Sequence, residues 1–429
     1  MNPAPSKEGL RGKRRCWVNP ITPFLVFIAA VLIIPCELAH ADLSSEEEFL
    51  EKVEYDSILY FTREANPANG LIKDSSRPGS PASVAAVGFG LTSICIGESR
   101  GWIAKDAAYY LTLKTLKTFR DTVQNEHGFF YHFLDMRTGM RAWNSEVSSI
   151  DTALFLAGAL FAGEYFKGTE IEDVAKELYN RVDWPWMLNN KKILCMGWKP
   201  EQGFLWYYWD SYSEAMILYA LAIGSPTHPI PKECWFEWKR PVDSYKDYEI
   251  IYCVTGSVFT YQYSHAWIDF RKLQEGDINY YINSVNAVKA NREFCIANSS
   301  AFKTYGEDSW GLSACLGPDG YKGYGAKPGI ALNDGTIPPH GMAGSLPFDP
   351  IPSLKGLKRL YDKYKNFLYG KYGFKDAFNM DKNWWAEEYL GIDVGLTVIM
   401  IENHRSGLVW DKFMKLEPIK TWIDKCIKK

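Results

Sequence analysis

The feature that most constrains the fold is a pair of helical segments, one nearly all apolar and one amphipathic, that recurs along the chain. An apolar segment follows Asp151 and is succeeded by the charged segment "EIEDVAKELYNRV", and the same order returns after Glu214. Later apolar segments begin near Tyr263, Gly341 and Gly391. Helices that are apolar on all sides are buried, whereas amphipathic helices cover them. Roughly six such pairs predict an all-α fold, an (α/α)6 barrel of inner helices wrapped by outer ones, with an open solenoid as the alternative.

Aromatic and acidic residues are concentrated in the loops of this pattern. Five stretches combine the two: "FFYHFLDMRTGMRAWNSEVSSIDTA", "WYYWDSYSEA", "YQYSHAWIDF", "TYGEDSWGLSA" and "GFKDAFNMDKNWWAEEYLGID". In a barrel, the loops that enter the inner helices share one face, so their acids meet in one bowl. Sugar rings stack on Trp and Tyr, and sugar hydroxyls hydrogen-bond to carboxylates. Glycoside hydrolysis needs one protonated acid and one ionised base, and a carboxyl among aromatic rings has a raised pKa that suits the acid.

Each of these residues also has an ordinary structural explanation. Ser211 and Glu214 have the spacing of a helix capping box, and Ser148 and Asp151 share that spacing. Four further residues have explanations as dipole partner, helix cap, first-turn acid and core histidine, respectively: Glu146, Asp308, Glu388 and His265.

The N-terminus has the layout of a secretory signal peptide. A basic segment precedes the apolar run "PFLVFIAAVLII", and Ala39 and Ala41 occupy the small-residue positions of a cleavage site. The run is shorter than the about 20 residues of a transmembrane helix, and an uncleaved membrane anchor is the alternative. We therefore predict a signal peptide at residues 1–41, a single catalytic domain at residues 42–429, and a periplasmic or secreted protein with no membrane contact after cleavage.

Charge and cysteine usage exclude several classes of protein. The 48 basic and 51 acidic residues give a net charge of −3, so no basic field is present to hold nucleic acid. No CxxC, HExxH or calcium-loop pattern occurs, so neither a metal site nor a cofactor is predicted. Of nine cysteines, Cys16 and Cys36 precede the predicted cleavage site, and the odd number that remains leaves at least one thiol unpaired in the expected monomer.

Four long motifs carry a family resemblance. The stretches "YYWDSYSEAMILYALAIGSPTHPI", "YSHAWIDFR", "TYGEDSWGLSA" and "GFKDAFNMDKNWWAEEYLGIDVGLTVIMIENHRSG" resemble the bacterial glucoamylase-like family, which includes the endo-β-1,2-glucanases of glycoside hydrolase family 144. The resemblance implies an (α/α)6 barrel, an inverting hydrolase, and β-1,2-glucan or its oligosaccharides as substrate. The chain departs from the family pattern at "GIDVGL", where "GIDQGP" is commoner.

The resemblance also assigns roles to individual residues. Glu214 of "YSEA" matches the general acid, and Asp376 of "DAFN" matches the base side. The remaining predicted site residues are expected to bind substrate: Glu146, Asp151, Tyr208, Trp209, Asp210, His265, Asp308, Trp310, Trp385, Glu388 and Asp393.

Two alternatives belong to other functional classes. A polysaccharide lyase on the same fold would need a Tyr or His base and a group that neutralises a uronate, which points to Tyr263, His265 and Arg271. The many acids in the motifs argue against an anionic substrate. A non-catalytic carbohydrate-binding protein is the other alternative, and it would bind sugar without releasing reducing ends.

Overall fold

The computed structural model describes residues 45–427. The signal peptide predicted at residues 1–41 lies outside the described residues, so the cleavage site and the domain boundary stay predictions. The described chain is helix-rich, as the recurring apolar and amphipathic segments predict. Its α-helices are α1 (Glu46–Arg63), α2 (Val84–Ser99), α3 (Lys105–Asp121), α4 (Ser149–Tyr165), α5 (Glu170–Asn180), α6 (Trp184–Leu188), α7 (Met216–Gly224), α8 (Cys234–Glu237), α9 (Tyr263–Trp267), α10 (Tyr280–Ala297), α11 (Pro339–Ala343), α12 (Pro350–Leu368), α13 (Gly391–Arg405), α14 (Leu408–Phe413) and α15 (Glu417–Cys426).

The segments between these helices contain short antiparallel strands. They pair in small sheets of two or three strands each. In chain order the strands are β1 (Ala82–Ser83), β2 (Asn125–Glu126), β3 (Phe129–Phe130), β4 (Phe133–Leu134), β5 (Val147–Ser148), β6 (Gly197–Lys199), β7 (Gly203–Phe204), β8 (Val242–Tyr245), β9 (Tyr248–Ile251), β10 (Ala314–Gly317), β11 (Gly320–Gly323), β12 (Thr336–Ile337), β13 (Tyr369–Gly370), β14 (Gly373–Phe374), β15 (Phe378–Asn379) and β16 (Trp384–Trp385). Their backbone hydrogen bonds hold the loops in defined positions.

The apolar helices form the interior. Helices α2, α4, α7 and α13 are buried on nearly every face, and they pack in the order α13, α2, α4, α7. Amphipathic helices cover them: α1 packs on α2 and α13, α3 on α2, α5 on α4, and α15 on α7. In α5 the buried residues Ile171, Val174, Ala175 and Leu178 recur at helical spacing, so one stripe of the helix faces α4.

Two glycines allow α2 and α4 to touch backbone to backbone. A Cβ atom on Gly158 would lie 2.0 Å from the carbonyl oxygen of Gly88, and a Cβ on Gly88 would lie 2.2 Å from the carbonyl oxygen of Leu154. Any larger side chain at either position would force the helices apart, because packed interiors leave no room for added atoms. This close approach holds α2 against α4, the helix that carries Asp151 in its first turn.

The apolar segments predicted near Tyr263 and Gly341 form much shorter helices than the other interior segments. Both α9 and α11 contain five residues. Hydrogen bonds link them to their neighbours: the Ser264 hydroxyl accepts from the Ile217 N–H and donates to the Glu214 carbonyl at 2.6 Å, and the Gln262 amide donates to the Gly341 carbonyl at 3.0 Å. These bonds tie the start of α7 to α9, and α9 to α11.

The cysteines of the described chain share one environment. Each is buried and carries a free thiol: Cys95, Cys195, Cys234, Cys253, Cys295, Cys315 and Cys426. Within residues 45–427, none of the helices combines the length and the apolar character that a membrane crossing requires.

Candidate active site

A cavity of about 570 Å³ lies at the N-terminal ends of the interior helices. Asp151 reaches it from the first turn of α4, Glu214 from just before α7, and Tyr263 from the start of α9. Besides small and aliphatic residues, its lining includes acids, cations and aromatic rings: Asp74, Asp151, Glu214, Glu388; Arg77, His132; Phe133, Trp143, Phe259, Tyr263, Tyr321. The loops that enter the interior helices therefore do meet at one face, and they bring together Asp151, Glu214 and Glu388 of the predicted site residues.

Glu214 does not cap a helix. Helix α7 begins at Met216, its N-cap is Ala215, and no capping hydrogen bond is made by the N-cap side chain. The capping-box interpretation of Ser211 and Glu214 is therefore wrong, because the N-cap residue is Ala215, four residues after Ser211. The Glu214 carboxyl instead faces the cavity, where burial, with a contribution from nearby Asp151, raises its pKa to about 7. Such a carboxyl holds a proton near neutral pH and can donate it.

A histidine that the sequence analysis did not select, His132, also lines the cavity. His132 Nδ1 lies 3.1 Å from Glu146 Oε1, and its Nε2 lies 3.6 Å from Asp151 Oδ1. Burial by itself lowers the pKa of His132, but Asp151 and Glu146 outweigh it and raise the pKa to about 9. The imidazolium in turn holds the pKa of Glu146 below its ordinary value. We call His132, Glu146 and Asp151 the His132 cluster.

The His132 cluster is held by the start of α4. Ser148 is the N-cap of α4, and its hydroxyl both accepts from the Asp151 N–H and hydrogen-bonds to the Asp151 carboxylate. The predicted spacing of Ser148 and Asp151 thus marks a real helix start. His132 lies between β3 and β4, and its ring stacks on Phe133 with centroids 3.9 Å apart.

A second cluster lies next to the cavity, in a space of about 20 Å³ that shares Leu390 with it. Asp376 and Asp393, both predicted site residues, face His340 there, and His340 Nε2 lies 3.4 Å from Asp393 Oδ1. We call these three residues the His340 cluster. Burial raises the pKa of both carboxyls and lowers the pKa of His340 to about 3. One oxygen of Asp376 accepts the backbone N–H of Leu316 at 2.6 Å.

The rim of the cavity carries an ion pair and an exposed ring. Arg77 lies 2.6 Å from Glu388, with two-thirds of the arginine side chain exposed. Trp143 lines the cavity and is 66% exposed, so its ring is free to contact a ligand.

His265 lies in the core and not in the cavity. It is 1% exposed, its Nε2 lies 3.0 Å from the Ser284 hydroxyl, and its ring packs against Phe270 and Phe348. A five-residue helix turns the side chain away from the cavity that neighbouring Tyr263 lines. His265 is therefore a core histidine, and the predicted substrate contact is not supported by its position.

Two predicted tryptophans also belong to the interior. Trp209 donates its indole N–H to Ser149 at 2.9 Å, beneath the start of α4. Trp310 is fully buried. Neither ring is among the residues that line the 570 Å³ cavity, because each packs inward from its loop.

The other predicted contacts make surface or loop interactions outside this cavity. Asp210 pairs with Lys239 at 3.1 Å, and Asp308 pairs with Lys355 at 3.1 Å. Two aromatic residues stack locally, Tyr208 under the Lys191 ammonium and Trp385 between Phe367 and Phe378. A loop carboxylate can pair with a neighbouring lysine as readily as with a ligand. The sequence of a motif does not show which of these two partners it has.

Comparison with known proteins finds relatives that are named for activity on β-1,2-glucans. Residues 206–417 match the family described as "Putative glucoamylase". The chain is 28% identical, over 96% of its length, to an exo-β-1,2-glucooligosaccharide sophorohydrolase (non-reducing end) of Parabacteroides distasonis, of which it spans 64%.

Solved structures agree with that match. An endo-β-1,2-glucanase from Chitinophaga pinensis, in complex with sophorotriose and glucose, superposes with a TM-score of 0.84 and 28% identity over 90% of this chain and 99% of that one. An endo-β-1,2-glucanase from Talaromyces funiculosus, in complex with sophorose, shares the fold with a TM-score of 0.65 at 15% identity, over 89% of this chain and 90% of that one. The resemblance of this chain to the bacterial glucoamylase-like family, predicted from its motifs, is thereby confirmed.

Proposed function

We propose that this protein is a glycoside hydrolase that cleaves β-1,2-glucan or its oligosaccharides by an inverting acid/base mechanism. The observation that carries the proposal is the position of the Glu214 carboxyl in a cavity lined by aromatic rings, where burial raises its pKa to about 7. Its relatives are a sophorohydrolase and an endo-β-1,2-glucanase, which act on this linkage.

The proposed architecture is an (α/α)6 barrel. Helices α2, α4, α7, α9, α11 and α13 would form the inner ring, since packing joins α11 to α13, α2, α4 and α7 in turn. The hydrogen bonds of Ser264 and Gln262 support closure of the ring through the two short helices. A closed ring explains why the cavity lies at one end of all the interior helices.

The proposed chemistry divides between Glu214 in the cavity and Asp376 in the His340 cluster. Glu214 donates its proton to the glycosidic oxygen as the bond to the anomeric carbon breaks, and the Glu214 carboxylate is left behind. Asp376 serves the base side: it takes the proton of the attacking water, directly or through an intervening hydroxyl. One Asp376 oxygen is occupied by the Leu316 N–H, which leaves the other available. Trp143 and Tyr263 offer ring surfaces to the sugars.

The alternative lyase mechanism has less support from the same residues. Of its two candidate bases, His265 is buried in the core, whereas Tyr263 lines the cavity. The two cations that line the cavity are already paired, Arg77 with Glu388 and His132 with Glu146 and Asp151. A uronate would therefore meet acids with no free cation among the described lining residues.

Export and a monomeric state complete the proposal. The basic, apolar and small-residue segments before Asp42 support cleavage after Ala41 and a periplasmic or secreted location. Mass spectrometry of the mature N-terminus tests this part, and recovery of an intact Met1 on a cytoplasmic protein would contradict it.

A linkage screen tests the proposed activity. We expect new reducing ends from β-1,2-glucan and few or none from β-1,3-glucan, β-1,4-glucan and starch, with Glu214→Gln as the inactive control. NMR of the first-formed product should show the α-anomer, because inversion at a β-linkage yields it. Initial release of β-anomer would exclude inversion, and binding of sugar without any reducing ends would favour the non-catalytic alternative.

A further inference from the structure

The His340 cluster gathers three side chains from separate parts of the chain. His340 comes from α11, Asp376 from the loop after β14, and Asp393 from the first turn of α13. One potential ligand atom from each residue lies within 4.8 Å of those of the other two. The enclosing space of about 20 Å³ has room for one water-sized body.

Four polar atoms of the cluster lack a hydrogen-bond partner among the described residues. His340 is 5% exposed, and Asp376 and Asp393 are each 4% exposed. Both nitrogens of His340, Oδ1 of Asp376 and Oδ2 of Asp393 have no hydrogen-bond partner among the described residues. Each such buried group costs on the order of 1–3 kcal/mol when it stays unsatisfied, and buried carboxylates cost more without a countercharge.

No basic side chain of the described residues around this space is left to supply that countercharge. Lys375 is the cation among the lining residues, and its ammonium is engaged by Glu387 at 3.0 Å. The cluster therefore presents carboxylate oxygens and an imidazole to one enclosed point, which is the donor set of a cation site.

We propose that the His340 cluster binds a divalent transition-metal ion of the Zn²⁺ type through one His340 nitrogen and one carboxylate oxygen each of Asp376 and Asp393. A mixed set of one imidazole and two carboxylates suits Zn²⁺, Mn²⁺, Fe²⁺ and Co²⁺, whereas Mg²⁺ and Ca²⁺ prefer oxygen ligands alone. The two positive charges of the ion would balance the two carboxylates.

The site has consequences for the proposed hydrolase. Asp376 cannot be a metal ligand and a free base at the same time, so an occupied site should suppress hydrolysis. This effect rests on the proposed function, whereas the binding itself does not. A binding titration contains no substrate, so its failure is distinguishable from a failure of the proposed activity.

Cobalt provides a direct test on the wild-type chain. The purified protein is dialysed against a chelator and titrated with CoCl₂ while the visible ligand-field absorption is recorded. We expect one equivalent of Co²⁺ to saturate the signal and ZnCl₂ to displace it. Absence of binding at millimolar CoCl₂ would overturn the proposal and would leave a proton shared by Asp376 and Asp393, with a trapped water, as the content of the space.

Two variants locate the bound ion. His340→Gln removes the nitrogen ligand and should weaken binding by at least about 100-fold, because even residues behind the ligands are worth about 10–100-fold. His265→Gln is the matched control, since it alters a buried histidine outside the cluster, and it should bind Co²⁺ as the wild type does. Equal binding by His340→Gln and the wild type would also overturn the proposal.

Discussion

His132 and His340 both face carboxylates, yet their surroundings drive them to opposite protonation states. The His132 side chain is 32% exposed and lies between Glu146 and Asp151, which raise its pKa to about 9. The His340 side chain is 4% exposed, and burial lowers its pKa to about 3. A nearby carboxylate is therefore not sufficient to protonate a histidine. Its attraction for the charged ring must exceed the cost of removing that ring from water.

This difference separates the chemistry of the two clusters. The His132 cluster contains one cation and two acids, so much of its charge is balanced internally. The His340 cluster contains two acids and a neutral imidazole, so it needs protons or a cation from outside. Glu214 lines the same cavity as His132 and Asp151 of the His132 cluster. Because the charges of that cluster largely cancel, burial is the main cause of the raised pKa of Glu214.

The largest expected effect comes from Glu214→Gln, which removes the proposed proton donor. We expect activity on β-1,2-glucan to fall about 10²–10⁴-fold, the usual contribution of general acid–base assistance. The folded-state pKa of about 7 exceeds the ordinary 4.5, so wild-type stability falls as pH rises from about 4.5 to 7, whereas the Gln variant escapes this loss. The unfolding free energy of the variant minus that of the wild type should therefore be about 2–3 kcal/mol higher at pH 8 than at pH 4.

Urea unfolding of both proteins at the two pH values measures this shift. Normal activity of Glu214→Gln would remove Glu214 from the chemistry and make Glu146 or Asp151 the next candidate. A loss of stability that matches the loss of activity would indicate a structural role.

Asp376→Asn tests whether the His340 cluster takes part in hydrolysis. We expect a loss of about 10²-fold or more in kcat with oligosaccharide binding retained, because the amide cannot accept the proton of the attacking water. Steady-state kinetics and calorimetric binding of a β-1,2-linked oligosaccharide provide the two readouts. Full activity would exclude Asp376 from the mechanism.

His132→Gln tests the contribution of the His132 cluster to stability. The pKa of His132 in the folded state, about 9, lies above its ordinary 6.5, so its stabilising contribution is complete below pH 6.5 and is lost as pH rises through 9. After allowance for solvent exposure, we expect the variant to be about 1–2 kcal/mol less stable at pH 6 and nearly equal to the wild type at pH 10.

His127→Gln is the matched control, because His127 pairs with Asp183 at the surface and is about half exposed. Its stability difference should stay near zero at both pH values. A pH-independent penalty in His132→Gln would indicate that only packing against Phe133 was lost.

Arg77→Gln should have the smallest effect. The Arg77–Glu388 pair is largely exposed on the arginine side, and such pairs contribute about 0–1 kcal/mol. We expect unchanged thermal stability within that range and a KM change of a few-fold at most. A large fall in kcat would show that the rim pair orders Glu388 for the reaction.

The parts of the fold that follow from local pattern were predictable from sequence. The apolar segment after Asp151 is α4, and the one after Glu214 is α7. Hydrophobic spacing along one helix is sufficient for such a prediction. The segments near Tyr263 and Gly341 form only five-residue helices, a length that hydrophobic spacing does not reveal.

The candidate site was less predictable, because side-chain direction is a tertiary property. Motif letters located Glu214 and Asp151, but they could not show that Trp209 packs under α4 or that His265 points into the core. His132 stands within a quoted aromatic and acidic stretch, and only its distances to Glu146 and Asp151 reveal it. His340 belongs to no local ligand motif, since its partners come from distant segments.

The free, buried thiols of the described chain bear on how the protein can be handled. Because the cysteines from Cys95 to Cys426 are unpaired, the described fold has no covalent cross-link to form, and production in a reducing cytosol should yield native protein. Each thiol is shielded in the folded state, so a thiol-reactive dye should label it only when its surroundings open. The cysteines thus serve as built-in reporters of local unfolding, distributed from α2 to α15.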